Sequence, residues 1–378
     1  MRVLVVNAGS SSLKLSVLGG NDEVLAAETV GRTRGDALGD ALERFVDRSP
    51  MVEAAGHRVV HGGAEFVEPL VVDDEADQRL ARLADLAPLH NPPAIAVVHE
   101  LRRLRPQLVQ VACFDTSFHV TLPAKAATYA LPRRWREELG IRRFGFHGFS
   151  HAWASMRAAE LLGRPLSSTR FVTAHIGAGA SLTAVAGGRS VDTSMGFTPV
   201  AGVVMATRPG DVDPGAMLWA MRHGIGIAEA EDDLEHRSGL LGLTGRSGDL
   251  RDVLEGVDGG DAVCTAAYET YVYRLQREVG SLVVALGGLD ALVFTGGAGE
   301  GSARLRRDVC AGLGVLGISP PEADESACGA RPQDRIVSSP AADVAVVVVR
   351  AREDVVIARS VRRVLGPRGP RQDRRLGR

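Results

Sequence analysis

A three-stranded pattern occurs twice in this chain at a fixed offset, and the repetition limits its architecture more than any other feature. Residues 3–25 read VLVVNAGSSSLKLSVLGGNDEVL and residues 171–193 read FVTAHIGAGASLTAVAGGRSVDT. With His175 under Asn7, Gly177 falls on Gly9 and the pair Gly187-Gly188 on Gly19-Gly20, with no gap anywhere between. Each segment alternates apolar and polar residues with the two-residue period of a half-buried strand. Gly-Gly between such runs is a hairpin signal. The expectation is an internal duplication: two similar lobes, each opening with strand, small-residue turn, strand, Gly-Gly turn, strand.

The first turn, Asn7-Ala8-Gly9-Ser10-Ser11-Ser12, has two readings. Gly and Ser are common turn residues, so it can simply reverse the chain. It can also cradle a phosphate, because backbone N–H groups in a turn without bulky side chains approach an anion closely. The chain carries 44 Lys and Arg residues, and only Lys14 and Lys125 are lysines. A compact ammonium beside this turn is a different partner for a phosphate oxygen from a planar guanidinium. A P-loop is excluded, since Gly-Lys-Ser/Thr leading into a helix is absent here and Leu13, Leu15 and Val17 continue as a strand.

Length and composition set the remaining bounds. At 378 residues, 45% hydrophobic and 24% charged, the chain has room for two domains and the balance of a soluble globular protein. A formal net charge of −2 gives no basic surplus for nucleic acid. Apolar runs such as ADVAVVVV at 342–349 are too short for a membrane span, and no signal peptide precedes the first strand pattern; the cytoplasm is the expected compartment. Cys113, Cys264, Cys310 and Cys328 form no CxxC pair, so neither disulfides nor a zinc site are expected. The Arg-, Gly- and Pro-rich end after Leu365 reads as a solvated tail.

Helices are predicted over 36–48, 74–86, 213–224 and 261–286, with EAAGHRVVHGG and LVQVACFDTSF as buried strands ending in polar clusters. Strands interleaved with helices of this size argue an α/β sandwich in each lobe. Several apolar runs end in a polar burst: His57-Arg58-Val59-Val60-His61, Phe114-Asp115-Thr116, Phe144-Gly145-Phe146-His147 and Thr207-Arg208-Pro209. Taken singly, Arg58 reads as a surface arginine, His147 as a satisfied core histidine, Asp115 as a helix cap and Arg208 as a turn residue. Together they supply what phosphoryl transfer asks of a protein: positive charge around the moving group, a carboxylate and an oriented acceptor. Mg²⁺ suits such a site because it takes few protein oxygens beside phosphate and water.

NAGSSSLK, HRVVHGG, LAPLHNPP, FDTSFH, YALP, FGFHGFSH, HIGAGAS, DTSMGFTP, RPGDVDPG, SGLLGLTGRSGDLRD and FTGGAGEGS stand in the order seen in acetate kinases, from residue 3 to about 360. The chain resembles that family of the acetate and sugar kinase, heat-shock cognate and actin superfamily. The resemblance implies two duplicated lobes of the actin-like ATPase (ribonuclease H-like) fold with an interlobe cleft, divided as 1–148 with 356–378 returning, and 149–355. It implies reversible ATP-dependent phosphorylation of acetate by direct in-line transfer, with ATP/ADP and Mg²⁺ (or Mn²⁺), a homodimer and a place in acetyl-CoA biosynthesis.

On the matching positions, the resemblance implies that Asn7 and Glu353 hold the metal, and that Lys14 meets the ATP phosphates with Ser10 and Ser12 in the same turn. Arg58 would bind the substrate carboxylate, Asp115 would be the acid/base or metal-orienting carboxylate, and His147 and Arg208 would stabilise the phosphoryl group. Residues His175 to Gly179, including Gly177 and Ala178, would form the second phosphate turn. Asp249, Leu250 and Arg251 with Gly297, Ala298, Gly299, Glu300 and Gly301 would contact the adenosine. Val60, Leu89, Phe146 and Pro199, with His90 nearby, resemble the pocket for the acetate methyl.

Five positions depart from the family pattern. Ala178 replaces a usual Asn, which removes a donor worth about 1–3 kcal/mol to a charged oxygen. Ala298 and Gly301 replace a branched residue and an Asn, Arg352 a small polar residue, and Phe149 a Thr. Main-chain donors remain, so altered nucleotide handling rather than lost activity is expected. Propionate or butyrate kinase is the rival inside the class, because one methylene discriminates by only about 1–3 kcal/mol. A non-enzymatic ATP-driven clamp and a degenerate paralogue are the rivals outside it.

Overall fold

The computed structural model describes residues 1–9, 12–31, 35–83, 91–321 and 333–366. The chain divides into two compact units, the first Met1–Ser117 together with the chain from Glu353 onward, the second Phe118–Arg352. Each unit is built on one six-stranded mixed sheet.

In the first unit the strands are β1 (Val3–Ala8), β2 (Ser12–Leu18), β3 (Val24–Gly31), β4 (Ala54–Val59), β5 (Leu70–Val71) and β6 (Val109–Phe114), in the order β3-β2-β1-β4-β6-β5. β1 runs parallel to β4 and β4 to β6, while β2, β3 and β5 are antiparallel to their neighbours. Leu13, Leu15 and Val17 are buried and Lys14 is exposed, as their alternation predicts. One face packs Leu4, Val6 and Leu15 against the helices Asp36–Arg48 and Asn91–Leu104, through Leu38, Leu42, Phe45, Val97 and Leu101. The opposite face receives the helix Glu353–Leu365. That helix approaches so closely that a Cβ on Gly56 would lie 2.6 Å from Val361 and 2.7 Å from Ile357, so a side chain at this point of β4 would push the helix away.

The second unit repeats the plan with β7 (Arg170–Ile176), β8 (Ala180–Ala186), β9 (Arg189–Thr193), β10 (Ala291–Thr295), β11 (Arg335–Ile336) and β12 (Ala345–Val348). Its order is β11-β12-β10-β7-β8-β9, the first sheet's order with β7 in the place of β1 and β10 in the place of β4. Parallel and antiparallel pairings match one for one. The predicted helix over 261–286 is Ala262–Leu286, started by Asp261, whose carboxylate accepts from the N–H groups of Val263 and Cys264. The other predicted helices run Asp36–Arg48, Asp74–Ala81 and Pro214–Arg222, and the end of the 74–86 prediction lies outside the described residues.

The registers correct the ungapped alignment by one residue. Asn7 pairs with Lys14, whereas His175 pairs with Ser181. The offset is 168 along β1 and β7 but 167 along β2 and β8, and the bulges agree, at Val17/Leu18 and at Ala184/Val185. The missing residue therefore lies in the first turn of the second meander. A one-residue slip exchanges the two faces of a strand, so the counterpart of Lys14 is Ser181 and not Leu182. The two Gly-Gly turns also differ. Gly187 (φ 57°) and Gly188 (φ 76°) form the expected two-residue turn. After Gly19-Gly20 the loop runs on to Glu23, and the left-handed residue is Asp22 (φ 64°), whose carboxylate accepts from Arg359 Nε (2.8 Å) and Arg362 Nη1 (2.5 Å).

The unit boundary falls between Ser117 and Phe118, earlier than the division at 148. Residues 118–147 join the second sheet's margin: Thr121 Oγ1 donates to Ser190 O (2.8 Å), and Arg143 Nη1 to the carbonyls of Thr193, Ser194 and Met195. The return to the first unit begins at Glu353 rather than at 356. No helix among the described residues is long and apolar enough to cross a membrane.

Candidate active site

The first unit gathers its charged site at the ends of the parallel strands. Asn7 near the end of β1, Arg58 near the end of β4, Asp115 just after β6 and Glu353 at the start of its helix converge. Arg58 donates from Nε to Asp115 Oδ2 at 3.0 Å, from Nη2 to the same oxygen, and from Nη1 to Asn7 Oδ1 at 3.2 Å. Asn7 Nδ2 donates to Glu353 Oε2 at 3.1 Å, and that carboxylate lies 4.0 Å from Arg58 Nε. Burial works against the charge on Arg58, but the Coulombic pull of Asp115 and Glu353 and the Asp115 hydrogen bond outweigh it and hold the guanidinium firmly protonated. Arg58 is therefore no surface arginine: its side chain is 13% exposed and Asp115 is fully buried. His57 points to the other face of β4; burial drives its pKa down to about 4 and keeps it neutral.

The oxygens around Arg58 are hard donors from an amide and two carboxylates. Among the described residues no group of three or more His, Cys, Asp or Glu could hold a metal unaided. Asn7 and Glu353 together fit a cation that takes two protein oxygens and completes its shell with phosphate and water, which is the habit of Mg²⁺.

The second unit gathers histidines and one arginine. His147 caps the helix Gly148–Leu161 in the left-handed region (φ 56°), one of two such non-glycine residues described. Strained backbone of this kind clusters at functional sites. Its ring stacks on that of His175 with centroids 4.3 Å apart. His147 Nδ1 meets Ser181 Oγ at 2.9 Å, and His175 Nδ1 meets Ser150 Oγ at 2.7 Å. The turn between β7 and β8 closes by Gly177 N–H donating to Gly179 O at 2.9 Å. A Cβ on Gly179 would lie 3.4 Å from His147 Nε2 and 3.7 Å from Arg208 Nη1, so glycine keeps the turn, the imidazole and the guanidinium side by side.

Arg208 is fixed from behind. Its Nε donates to Glu235 Oε2 at 2.8 Å and its Nη1 to the carbonyl of Pro199 at 3.4 Å. The Glu235 segment docks through Thr207 Oγ1, which donates to Glu235 O, and Ser238 N–H, which donates to Thr207 O. Gly239 (φ 62°) makes this docking possible, since a Cβ there would stand 2.3 Å from Met205 O. Ala178, the departure from the family pattern, is exposed; its carbonyl accepts from Ala206 N–H at 3.1 Å and ties the turn to the Arg208 loop.

The stretches assigned to adenosine lie on two helices of the same unit. Asp249 caps the helix Leu250–Asp258, and its carboxylate accepts from Arg251 N and from the Arg251 guanidinium. That hydrogen bonding holds the Asp249 pKa down at about 2. Gly297, Ala298 and Gly299 belong to the helix Gly296–Gly301 that follows β10. Glu300 Oε1 accepts from the N–H groups of Gly296 (3.0 Å) and Ala351 (2.9 Å), so this carboxylate holds the loop's shape. Buried Arg306 caps the carbonyls of Gly299 and Glu300. Open space surrounds Gly301, so a larger side chain would be accommodated there.

Within each unit the structure thus assembles the expected residues: Asn7, Arg58, Asp115 and Glu353 in one, His147, His175, Gly177, Gly179 and Arg208 in the other. Ser12 and Lys14 lie on β2, with Lys14 opposite Asn7. Val60 is buried in the first unit; Phe146, fully buried, and Pro199 belong to the second. Ser10, Leu89, His90 and the tail from residue 367 lie outside the described residues. Glu235, Ser181, His151, Thr173 and His119 were not anticipated. The i, i+4 spacing of His147 and His151 signals a shared helix face; nothing in the acidic run AEAEDDLEHR singles out Glu235.

The acetokinase family profile matches residues 36–359. The acetate kinase of Symbiobacterium thermophilum is 42% identical over 392 aligned positions, covering 95% of this chain and 98% of that protein. Among solved structures, Porphyromonas gingivalis acetate kinase superposes with a TM-score of 0.87 at 35% identity, covering 96% of this chain and 99% of that one. A propionate kinase from Francisella tularensis superposes at 0.86 and 31%, with 95% and 98% coverage.

Proposed function

The chain belongs to the acetokinase family, phosphotransferases with a carboxylate acceptor, and from that premise we propose that acetate is its preferred acceptor and ATP its donor, that the four-residue cluster around Arg58 carries the carboxylate and Mg²⁺, and that His147 and Arg208 serve the phosphoryl group. The observation that carries the reading is the state of Arg58. A guanidinium has five N–H donors and Arg58 spends three of them on Asp115 and Asn7. Two remain for a substrate carboxylate, on a group whose charge and orientation Asp115 already fixes.

In this mechanism Arg58 binds the acceptor carboxylate so that one oxygen is presented to the γ-phosphorus. Asn7 and Glu353 would hold Mg²⁺, which supplies charge neutralisation on the phosphates when bound; Mn²⁺ has the same oxygen preference. Asp115 keeps Arg58 charged and aimed. Arg208, anchored by Glu235, and His147, anchored by Ser181, meet charge that grows on the equatorial oxygens. The N–H groups of the Gly177–Gly179 turn and Lys14 bind the donor's phosphates, with Ser12 beside them. The Asp249–Arg251 and Gly297–Gly301 segments take the adenosine. Val60, Phe146 and Pro199 bound the methyl group, and Leu89 and His90 belong to the same proposal. A cytoplasmic homodimer that supplies acetyl-CoA biosynthesis is the matching cellular setting.

The test is hydroxamate trapping of the acyl phosphate with acetate, propionate and butyrate in parallel. The reading expects kcat/KM highest for acetate and falling by roughly 10- to 200-fold per added methylene. A higher value with propionate or butyrate transfers the chain to the rival specificity, which its likeness to a propionate kinase keeps open.

A further inference from the structure

Behind His147 lies a chain of hydrogen bonds, buried beyond its first link, of which the phosphoryl-transfer scheme uses only that link to Ser181. His147 Nδ1 meets Ser181 Oγ at 2.9 Å; Ser181 Oγ also meets His151 Nε2 at 2.8 Å; His151 Nδ1 meets Thr173 Oγ1 at 2.8 Å; Thr173 Oγ1 donates to Thr183 O at 3.3 Å. Ser181, His151, Thr173 and Thr183 are all buried. Each hydroxyl has one proton, a neutral imidazole has one N–H, and a carbonyl only accepts. His151 is neutral, because burial and then the neighbouring His119 and His175 press its pKa well down.

The direction of the whole chain follows from its far end. With Thr173 donating to the Thr183 carbonyl, Thr173 must accept from His151 Nδ1–H. His151 Nε2 then accepts from Ser181 O–H, and Ser181 accepts from His147 Nδ1–H, giving four hydrogen bonds. The reversed direction has Thr173 donating to His151 and loses the bond to Thr183, giving three. We propose that the Ser181–His151–Thr173 relay is a positioning device that fixes the Nδ1–H tautomer of His147 and so prepares its imidazolium form, with Nε2–H as the donor to the phosphoryl group.

The preparation has a physical meaning. A neutral His147 held with Nδ1–H has a lone pair on Nε2, which repels an anionic oxygen; protonation at Nε2 turns it into a charge-assisted donor. The relay already accepts the Nδ1–H, so protonation needs no hydroxyl to turn over. Electrostatic stabilisation is most effective when no such reorganisation is left to do. Beside His147 stand His175, stacked on its ring, Arg208 across Gly179, and His151, which shares Ser181 Oγ with it; His119 in turn meets the His151 ring edge-on. The Arg208 guanidinium opposes a second positive charge beside it, which makes the supporting acceptor matter more. His119 has the opposite tautomer: its Nε2 meets the Phe146 carbonyl at 3.0 Å and must donate, while Nδ1 accepts from Ser190 Oγ at 2.9 Å.

The inference rests on the proposed role of His147, and the experiment separates the two. Long-range ¹H–¹⁵N spectra of ¹⁵N-labelled protein, with the His147 signal assigned by comparison with His147→Gln, read the tautomer directly. The wild type and Thr173→Ser should show Nδ1–H on His147 and Nε2–H on His119. Thr173→Val and Ser181→Ala should lose the His147 preference, lower kcat by roughly five- to tenfold with acetate KM unchanged, and move the basic limb of the kcat–pH profile to lower pH. Nε2–H on neutral His147 in the wild type, or a wild-type pH limb in Ser181→Ala, overturns the relay. An unchanged kcat in His147→Gln overturns instead the role of His147, whatever its tautomer.

Discussion

The two units share strand order, pairing sense and even the position of a bulge, yet their functional ends are built on opposite electrostatic principles. Where the first sheet carries Asn7 on β1 and Arg58 on β4, the registers place His175 and Thr295 at the same points of the second. The first site is ionic: a nearly buried guanidinium held by buried Asp115. The histidines of the second are joined by neutral hydroxyls, and its one arginine near the turn takes its counter-charge from Glu235, far along the chain. A duplicated backbone supplies two sets of strand ends; what each binds is set by the few side chains placed there. On the proposed assignment, the acceptor carboxylate and a metal would need fixed charges, whereas the moving phosphoryl group would be served by donors whose strength can rise as charge develops.

The comparison predicts unequal responses to substitution. Arg208→Ala should give the largest effect, a fall in kcat of about 100- to 1,000-fold, with acetate KM little changed; unaltered steady-state constants would remove Arg208 from the mechanism. Arg58→Ala should chiefly raise acetate KM. It should also destabilise the first unit by about 3–5 kcal/mol, because the substitution breaks a buried ion pair with Asp115; denaturant melts of the purified variant would show this, and a wild-type midpoint would mean the pair is not structural.

The second unit should show its preference for neutral groups in the pH dependence of stability. Burial, with the charges of Asp211 and Asp192, pushes Glu278 up to about 7. Its folded pKa lies above the unfolded value near 4.5, so its contribution is fully present below about pH 4.5 and is lost as pH rises through 7. Burial pulls His119 down to about 4, so its contribution is present above about pH 6.5 and is lost as pH falls through 4. Glu278→Gln should therefore gain roughly 2 kcal/mol over the wild type at pH 8 relative to pH 4. Equal differences in Tm at the two pH values would contradict the burial of that carboxyl. The smallest effect expected is from Ala178→Asn. An amide donor restored to the exposed turn should lower the ATP KM by roughly fivefold, and no change would mean that main-chain donors alone hold the phosphates.

Much of this was legible in the sequence because local patterns govern it. Two-residue alternation announced both meanders, and apolar runs ending in Arg58 and Asp115 announced strand ends, whereas the runs ending in His147 and Arg208 lead to a helix start and a loop. What escaped depends on contacts distant in sequence. The one-residue slip after β7 is invisible while Gly177 and Gly187 both keep their matches. The Gly19-Gly20 loop departs from a tight turn where Arg359 and Arg362 hold Asp22, more than 300 positions away. Glu235 is one acid among several until Thr207 and Gly239 dock its turn on the Arg208 loop. Ser181 and Thr173 read as ordinary strand residues, and only the register shows them meeting His147 and His151.

The central claim is phosphoryl transfer to a carboxylate, and ³¹P NMR of the protein with MgATP and acetate tests it most directly. The account predicts a growing acetyl phosphate resonance matched by ADP, dependent on acetate and lost in Arg208→Ala. Release of inorganic phosphate at a rate indifferent to acetate, with no acyl phosphate signal, would contradict it.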